Sequence, residues 1–165
     1  MAQSIKNVLF STSFTRPANT TQYAVDDSVN DGTTSALSFS TADGITVSNG
    51  SSWFVKTARL VTNNTTVTSG SFRLWLLDSS ASAVADNSIQ TLLWANRSKR
   101  VGYIDFVLQS PPSGSDCAEA VVVDSNLSIR MENTTLYGFL TAKGTYTPAS
   151  GQLFYIELNV QQIDA

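Results

Sequence analysis

The chain has 165 residues, 14% of them charged, a formal net charge of −3, one cysteine and no histidine. A chain of this length fits one domain with a core large enough to fold without a metal, and the lone Cys117 excludes any internal disulfide. Three further signals are missing: an extended basic face for nucleic-acid phosphates, an apolar run near the ~20 residues of a spanning helix, and, in "MAQSIKNVLFSTSF", the long apolar core of a signal peptide.

Along most of the chain apolar residues recur at every second position, the period of strands with one buried and one wet face. In chain order the candidate strands are 5–14 (IKNVLFSTSF), 36–40 (ALSFS), 44–48 (GITVS), 53–61 (WFVKTARLV) and 71–78 (SFRLWLLD). Then follow 102–108 (GYIDFVL), 120–124 (AVVVD), 126–132 (NLSIRME), 136–143 (LYGFLTAK) and 152–162 (QLFYIELNVQQ). The last sets Phe154, Ile156, Leu158 and Val160 against Tyr155, Glu157, Asn159 and Gln161. In 71–78, Phe72, Leu74 and Leu76 oppose Arg73, Trp75 and Leu77, so the outer side is apolar too and must be covered by a loop or by another subunit, the latter preferred. Asn49-Gly50 is the strongest hairpin signal, and Pro17, Pro111, Pro112 and Pro148 all fall in breaks. The small-residue stretch 79–95 has room for one helical turn. This pattern predicts one all-β domain over residues 1–165, an antiparallel β-sandwich, jelly-roll-like, of about eight to ten strands. Its long breaks, 15–34, 78–91 and 110–118, are expected at the ends of the sandwich, where partners are met.

Reactive chemistry is scarce. Without histidine there is no Ser-His-Asp or Cys-His arrangement and no imidazole zinc ligand. Asp105 and Glu157 are the carboxylates to weigh for glycoside hydrolysis, yet outward carboxylates on separate strands occur on any solvated sheet. "DDSVNDG" fails as a calcium loop: counted from Asp27, Val29 stands where an oxygen ligand belongs and Ser38 where a bidentate glutamate belongs. The expectation is a protein that is not an enzyme, with no catalytic residue, metal or cofactor.

Contact chemistry is richer. "NRSKR" (96–100) is the one basic cluster; Arg97, Lys99 and Arg100 follow Trp94, and aromatic plus arginine is the usual anchor pairing of interfaces. In "RPANTTQYAVDD" (16–27), Pro17 pushes Arg16 toward an extended conformation and Tyr23 offers a large contact surface. Segment 15–34 is therefore either an extended arm lying along a neighbour or a crossover loop packed on its own domain. The expected interface residues are Arg16, Pro17, Tyr23, Trp75, Trp94, Arg97, Lys99 and Arg100. Trp53, Trp75 and Trp94 are also the residues that would stack on sugars.

The segments "FTRPANTTQYAVDD", "LLWANRSKRVGYIDF" and "LYGFLTAKGTYTPASGQLFYIELNVQQ", spanning Phe14 to Gln162 overall, resemble small tailed-bacteriophage capsid decoration (cement, or head-stabilising) proteins. The resemblance implies a β-rich homotrimer, made in the bacterial host cytoplasm, that sits on the outer surface of the virion. Its partner would be the major capsid protein, with no nucleic acid or membrane involved. The alternative reading is a carbohydrate- or receptor-binding β-sandwich of a phage tail fibre or spike.

Overall fold

The ends of the chain pair with each other, and that fixes the topology. The computed structural model describes residues 5–41, 52–64, 70–109, 112, 115–130 and 134–163; the expected strand 44–48 and the Asn49-Gly50 turn lie outside them. Its strands are β1 (Ile5–Thr15), β2 (Leu37–Thr41), β3 (Ser52–Thr62), β4 (Ser71–Leu77), β5 (Arg100–Val107), β6 (Ala118–Arg130), β7 (Leu136–Ala142) and β8 (Leu153–Ile163). A short 3-10 helix, Trp94–Lys99, precedes β5.

Each strand of the first half pairs antiparallel with its counterpart counted from the other end: β1 with β8, β2 with β7, β3 with β6, β4 with β5. The resulting ribbon is rolled so that β1 also meets β2, β3 meets β8 and β4 meets β7. The strand order is then β5-β4-β7-β2-β1-β8-β3-β6. This is a jelly roll, with layers β1-β8-β3-β6 and β2-β7-β4-β5 and β2 as the corner strand. Its two outer edges approach each other. Gln109 N–H donates to Glu119 O at 3.0 Å, and Gly102 of β5 lies where a Cβ would stand 2.5 Å from Leu127 Cδ1 of β6.

The inward residues are those the alternation named. Val8, Phe10 and Phe14 lie opposite Val160, Leu158 and Phe154, and Phe72, Leu74 and Leu76 face them from the other layer, all buried in one cluster. The Phe72 ring meets Phe154 and Tyr146 edge to face, at 5.6 and 5.3 Å between centroids.

Two departures have a common cause. On β3 the buried positions step from Val55 to Ala58, an odd interval that would turn half the strand outward. The register against β8 shifts there, with Lys56 as the extra residue, and the bulge restores the face. On β6, Leu127 pairs with Val55 but Val123 pairs with Thr57. Asp124 between them has φ 49°, and Ser125 Oγ donates to Val55 O at 2.7 Å. The expected strands 120–124 and 126–132 are therefore one strand as far as Arg130, the last two residues lying outside those described, and it bends where Asp124-Ser125-Asn126 reads as a turn.

Two other expectations are corrected. Segment 79–93 is not helical; the short helix begins at Trp94. The backbone of that segment bonds to the crossover loop instead, through Ala83 N–H to Thr34 O, Asn87 N–H to Ser28 O and Gln90 N–H to Asp26 O, each 2.9 Å. The same segment lays Ala81 and Ala83 over Leu77 and Phe139. The outer face of β4 at Leu77 is thus covered by a loop of its own chain, while Trp75 beside it stays partly exposed.

Candidate interaction surface

Segment 15–34 is tied down along its length. Arg16 N–H donates to Gln152 O at 2.9 Å, and Tyr23 exchanges backbone bonds with Tyr146. An arginine cannot shed its charge, so a buried one needs acceptors on every side. Arg16, only 2% exposed, has them. Its Nη2 meets Asp86 at 3.0 Å, Nη1 donates to Asn19 O and Ala149 O, and Nε donates to the Tyr23 hydroxyl. Tyr23 in turn donates to Asp86 Oδ1 at 2.5 Å, which also accepts from Asn30 N–H at 3.1 Å. Burial, reinforced by the bond to Asp86, drives the Tyr23 phenol far above its usual pKa, so it is neutral and donating.

Arg16 and Tyr23, expected on an interface, therefore lie inside the domain. They latch the crossover loop to segment 78–93. Pro17 is half-buried and packs within the same loop, near Gly32. Within the chain, 15–34 packs on its own domain through Arg16, Tyr23 and Asp27–Asn30, while residues 18–22, 24–26 and 31–35 stay exposed.

Several carboxylates cap turns or pair with cations. Asp27 accepts from Ala24 N–H, and Asp31 accepts from the backbone and hydroxyl of Thr33, which hold its carboxyl below the usual range. Among the described residues no three His, Cys, Asp or Glu side chains gather as a metal site would need. Asp105 and Glu157 point outward from opposite layers, so they do not flank one bond as a glycosidase pair must.

The outer face of β4 and β5 holds a different cluster. Register puts Trp75 opposite Tyr103, and their rings stand 5.3 Å apart at 58°. The Arg73 guanidinium lies 4.0 Å over the Tyr103 ring and 5.2 Å from that of Trp75. Arg73 donates to both oxygens of Asp105, at 2.6 and 2.8 Å, and Lys143 Nζ reaches the same carboxylate at 2.6 Å. Arg73 chiefly, with Lys143, holds the Asp105 carboxyl down at about 2, against the opposing effect of desolvation. Stability from this depressed group is present above its unfolded pKa and is lost as pH falls from about 4 to about 2. Solvent screening limits it to about 1 kcal/mol. Urea midpoints should therefore separate wild type from Asp105→Asn at about pH 5 and converge near pH 2; an unchanged gap would refute the pairing.

Beside this cluster projects the 3-10 helix. Trp94 is 76% exposed; Arg97 covers one side of its ring at 4.5 Å and donates to Trp94 O. Lys99 Nζ donates to Ser80 O at 2.7 Å, fastening the helix to the covering loop. Arg97 and Arg100 then join Trp75, Val101, Gly102 and Tyr103 around an open concavity of about 330 Å³. A second hollow, about 450 Å³, lies on the other side of the helix between Thr34, Ser80, Ser82, Asn96 and Lys99. The expected residues Trp75, Arg97 and Arg100 are brought together, with Trp94 adjoining through Arg97. Arg16, Pro17 and Tyr23 are not part of this group, and Lys99 belongs to the second hollow. Trp53, weighed as a sugar platform, is buried against Phe10 in the core.

Sequence reasoning missed Arg73, Tyr103 and the exposed Ile89 and Leu93. Tyr103 was legible only as an outward residue; the register that sets it against Trp75 is not written in either strand.

No protein-family model matches the chain, and no curated protein matches it. Among solved structures, that of Desmodium yellow mottle tymovirus aligns over 99% of this chain and 89% of its own, at 11% identity and TM-score 0.39. That of Cocksfoot mottle virus aligns over 98% and 95%, at 11% identity and TM-score 0.34. A Clostridium thermocellum endo-1,4-β-D-xylanase 10B CBM22-1–GH10 structure, complexed with xylohexaose, aligns over 93% of this chain and 26% of its own, at 12% identity and TM-score 0.31. At such scores the likeness is one of general β outline.

Proposed function

We propose that this chain is a non-enzymatic structural virion protein. It binds the outer surface of an assembled bacteriophage capsid, as a homotrimer, and stabilises the shell by bridging major capsid subunits. The observation that carries the reading is Trp94, 76% exposed on the short 3-10 helix with Arg97 over one side of its ring. A large aromatic side chain presented to solvent beside an arginine matches the anchors of protein interfaces. The resemblance of the Arg97–Arg100 segment and its flanks to decoration proteins supports the same reading. A ligand of the assembled lattice stabilises that lattice by mass action, and three linked copies add avidity.

The test is co-sedimentation of the purified chain with assembled shells and, separately, with unassembled capsid subunits. Binding to shells alone is expected, with Trp94→Ala weakening it at least tenfold, the effect of about 1.4 kcal/mol or more at an anchor residue. Equal binding by Trp94→Ala, at unchanged melting temperature, would defeat the reading. A solution mass of three times 17.7 kDa would support the trimer.

One observation favours the carbohydrate-binding alternative: the hydroxyl-rich hollow of Thr34, Ser80 and Ser82 beside the helix of Trp94. Glycan-array binding lost in Trp94→Ala would transfer the function to that class. The Trp75–Tyr103 pair offers it less, because rings tilted by 58° with Arg73 laid over them make no flat platform.

A further inference from the structure

We propose that the groove between Trp75, Tyr103, Arg97 and Arg100 receives an extended segment of a protein partner that carries carboxylate side chains. This rests on the adhesive reading above and names the chemistry of the partner at that face.

Four cations are neutralised within the chain: Arg16 by Asp86, Arg59 by Glu119, and Arg73 and Lys143 by Asp105. Arg97 and Arg100, like Lys56 and Lys99, have no carboxylate partner among the described residues, and these two arginines stand on the same groove. Among the described residues no acidic side chain lines it, so in a chain of net charge −3 this groove is a local concentration of positive charge.

Arg100 supplies the second observation. Its Nε is shut away from solvent and has no hydrogen-bond acceptor among the described residues. A guanidinium already stripped of water on one side has less hydration to lose when an anion approaches the other. Arginine forks also match carboxylates in a bidentate, planar geometry.

The aromatic residues decide between anions. Trp75 and Tyr103 form a tilted wall suited to apolar side chains flanking a carboxylate. Arg73 lies over their rings, at 4.0 Å from Tyr103, and obstructs the flat stacking that a nucleobase requires. A concavity of about 330 Å³ accommodates a few residues of extended chain. An acidic segment with interspersed apolar residues is the occupant that satisfies the charge, the wall and the size together.

The experiment is an NMR titration of the ¹⁵N-labelled full chain with a blocked peptide, Leu-Glu-Phe-Asp-Leu. Its amide twin, Leu-Gln-Phe-Asn-Leu, and oligothymidylate serve as comparators. The expected result is a saturable shift of the Trp75 indole N–H and Tyr103 amide, with a Kd of about 1 mM or tighter. Binding should weaken at least about tenfold with the amide twin and in the double variant R97Q/R100Q. Equal affinity for the amide twin, shifts centred away from the groove, no saturable shift, or tighter binding of oligothymidylate would each overturn the proposal. The twin keeps the test valid even if the double variant misfolds. No capsid takes part, so a negative titration removes the acidic-segment assignment and leaves shell adhesion standing. Failure to bind shells with the titration intact does the reverse.

Discussion

Asp86→Ala is expected to lower the free energy of unfolding by about 3–5 kcal/mol, the range for removing one partner of a buried ion pair. The side chain of Arg16 is fully buried and that of Asp86 is 4% exposed. Without Asp86, Arg16 keeps a charge it cannot lose, Tyr23 loses the acceptor of its hydroxyl, and Asn30 N–H loses its bond. The loss should be smaller in the triple variant Arg16→Met, Tyr23→Phe, Asp86→Leu, because the three linked side chains become apolar at once and no buried charge is left unpaired, the backbone partner Asn30 N–H alone losing its acceptor side chain. Equilibrium urea unfolding measures both. An Asp86→Ala variant within about 0.5 kcal/mol of wild type, the range of ordinary surface substitutions, would mean that the latch is solvated and that the crossover loop is held by other contacts.

The second large effect belongs to the core. Phe72→Ala should cost about 3–5 kcal/mol, because it removes a fully buried ring and leaves a cavity that the two layers cannot close. Phe72 is the point where the β4 layer meets β8: its edge-to-face contacts with Phe154 and Tyr146 are lost together. Val123→Ala, on the outer side of β6 and mostly exposed, should stay within about 0.5 kcal/mol of wild type. The contrast is read from urea midpoints at constant slope. Comparable losses at both positions would contradict the assignment of inner and outer faces.

These two cases show how far the amino-acid sequence reaches. Alternation in 152–162 and 71–78 names the inner residues of β8 and β4, because a period of two has one physical cause in a half-buried sheet. It fails where the chain inserts residues. The odd step from Val55 to Ala58 and the Asp124-Ser125-Asn126 interruption become bulges only once β8 and β3 are there to pair with. The latch is less legible still. Arg16 next to a proline, with a tyrosine seven residues on, looks like a contact arm. Its meaning changes on meeting Asp86, 70 residues away, in a stretch whose small residues suggested a helical turn. That Trp94, Arg97 and Arg100 lie near one another was legible because they are close in the chain. Tyr103 and Arg73 were not, because their place beside Trp75 depends on β4–β5 register.

On the proposed function, the β4–β5 face and the 3-10 helix beside it meet the shell, and the Arg16–Tyr23–Asp86 latch serves the inside of the domain. Hydrogen exchange of the chain, free and bound to assembled shells, tests this most directly. Binding should slow exchange at 94–107 and along β4 and leave 16–30 unchanged. Protection confined to 16–30, or to the outer side of β1, β8, β3 and β6, would contradict it.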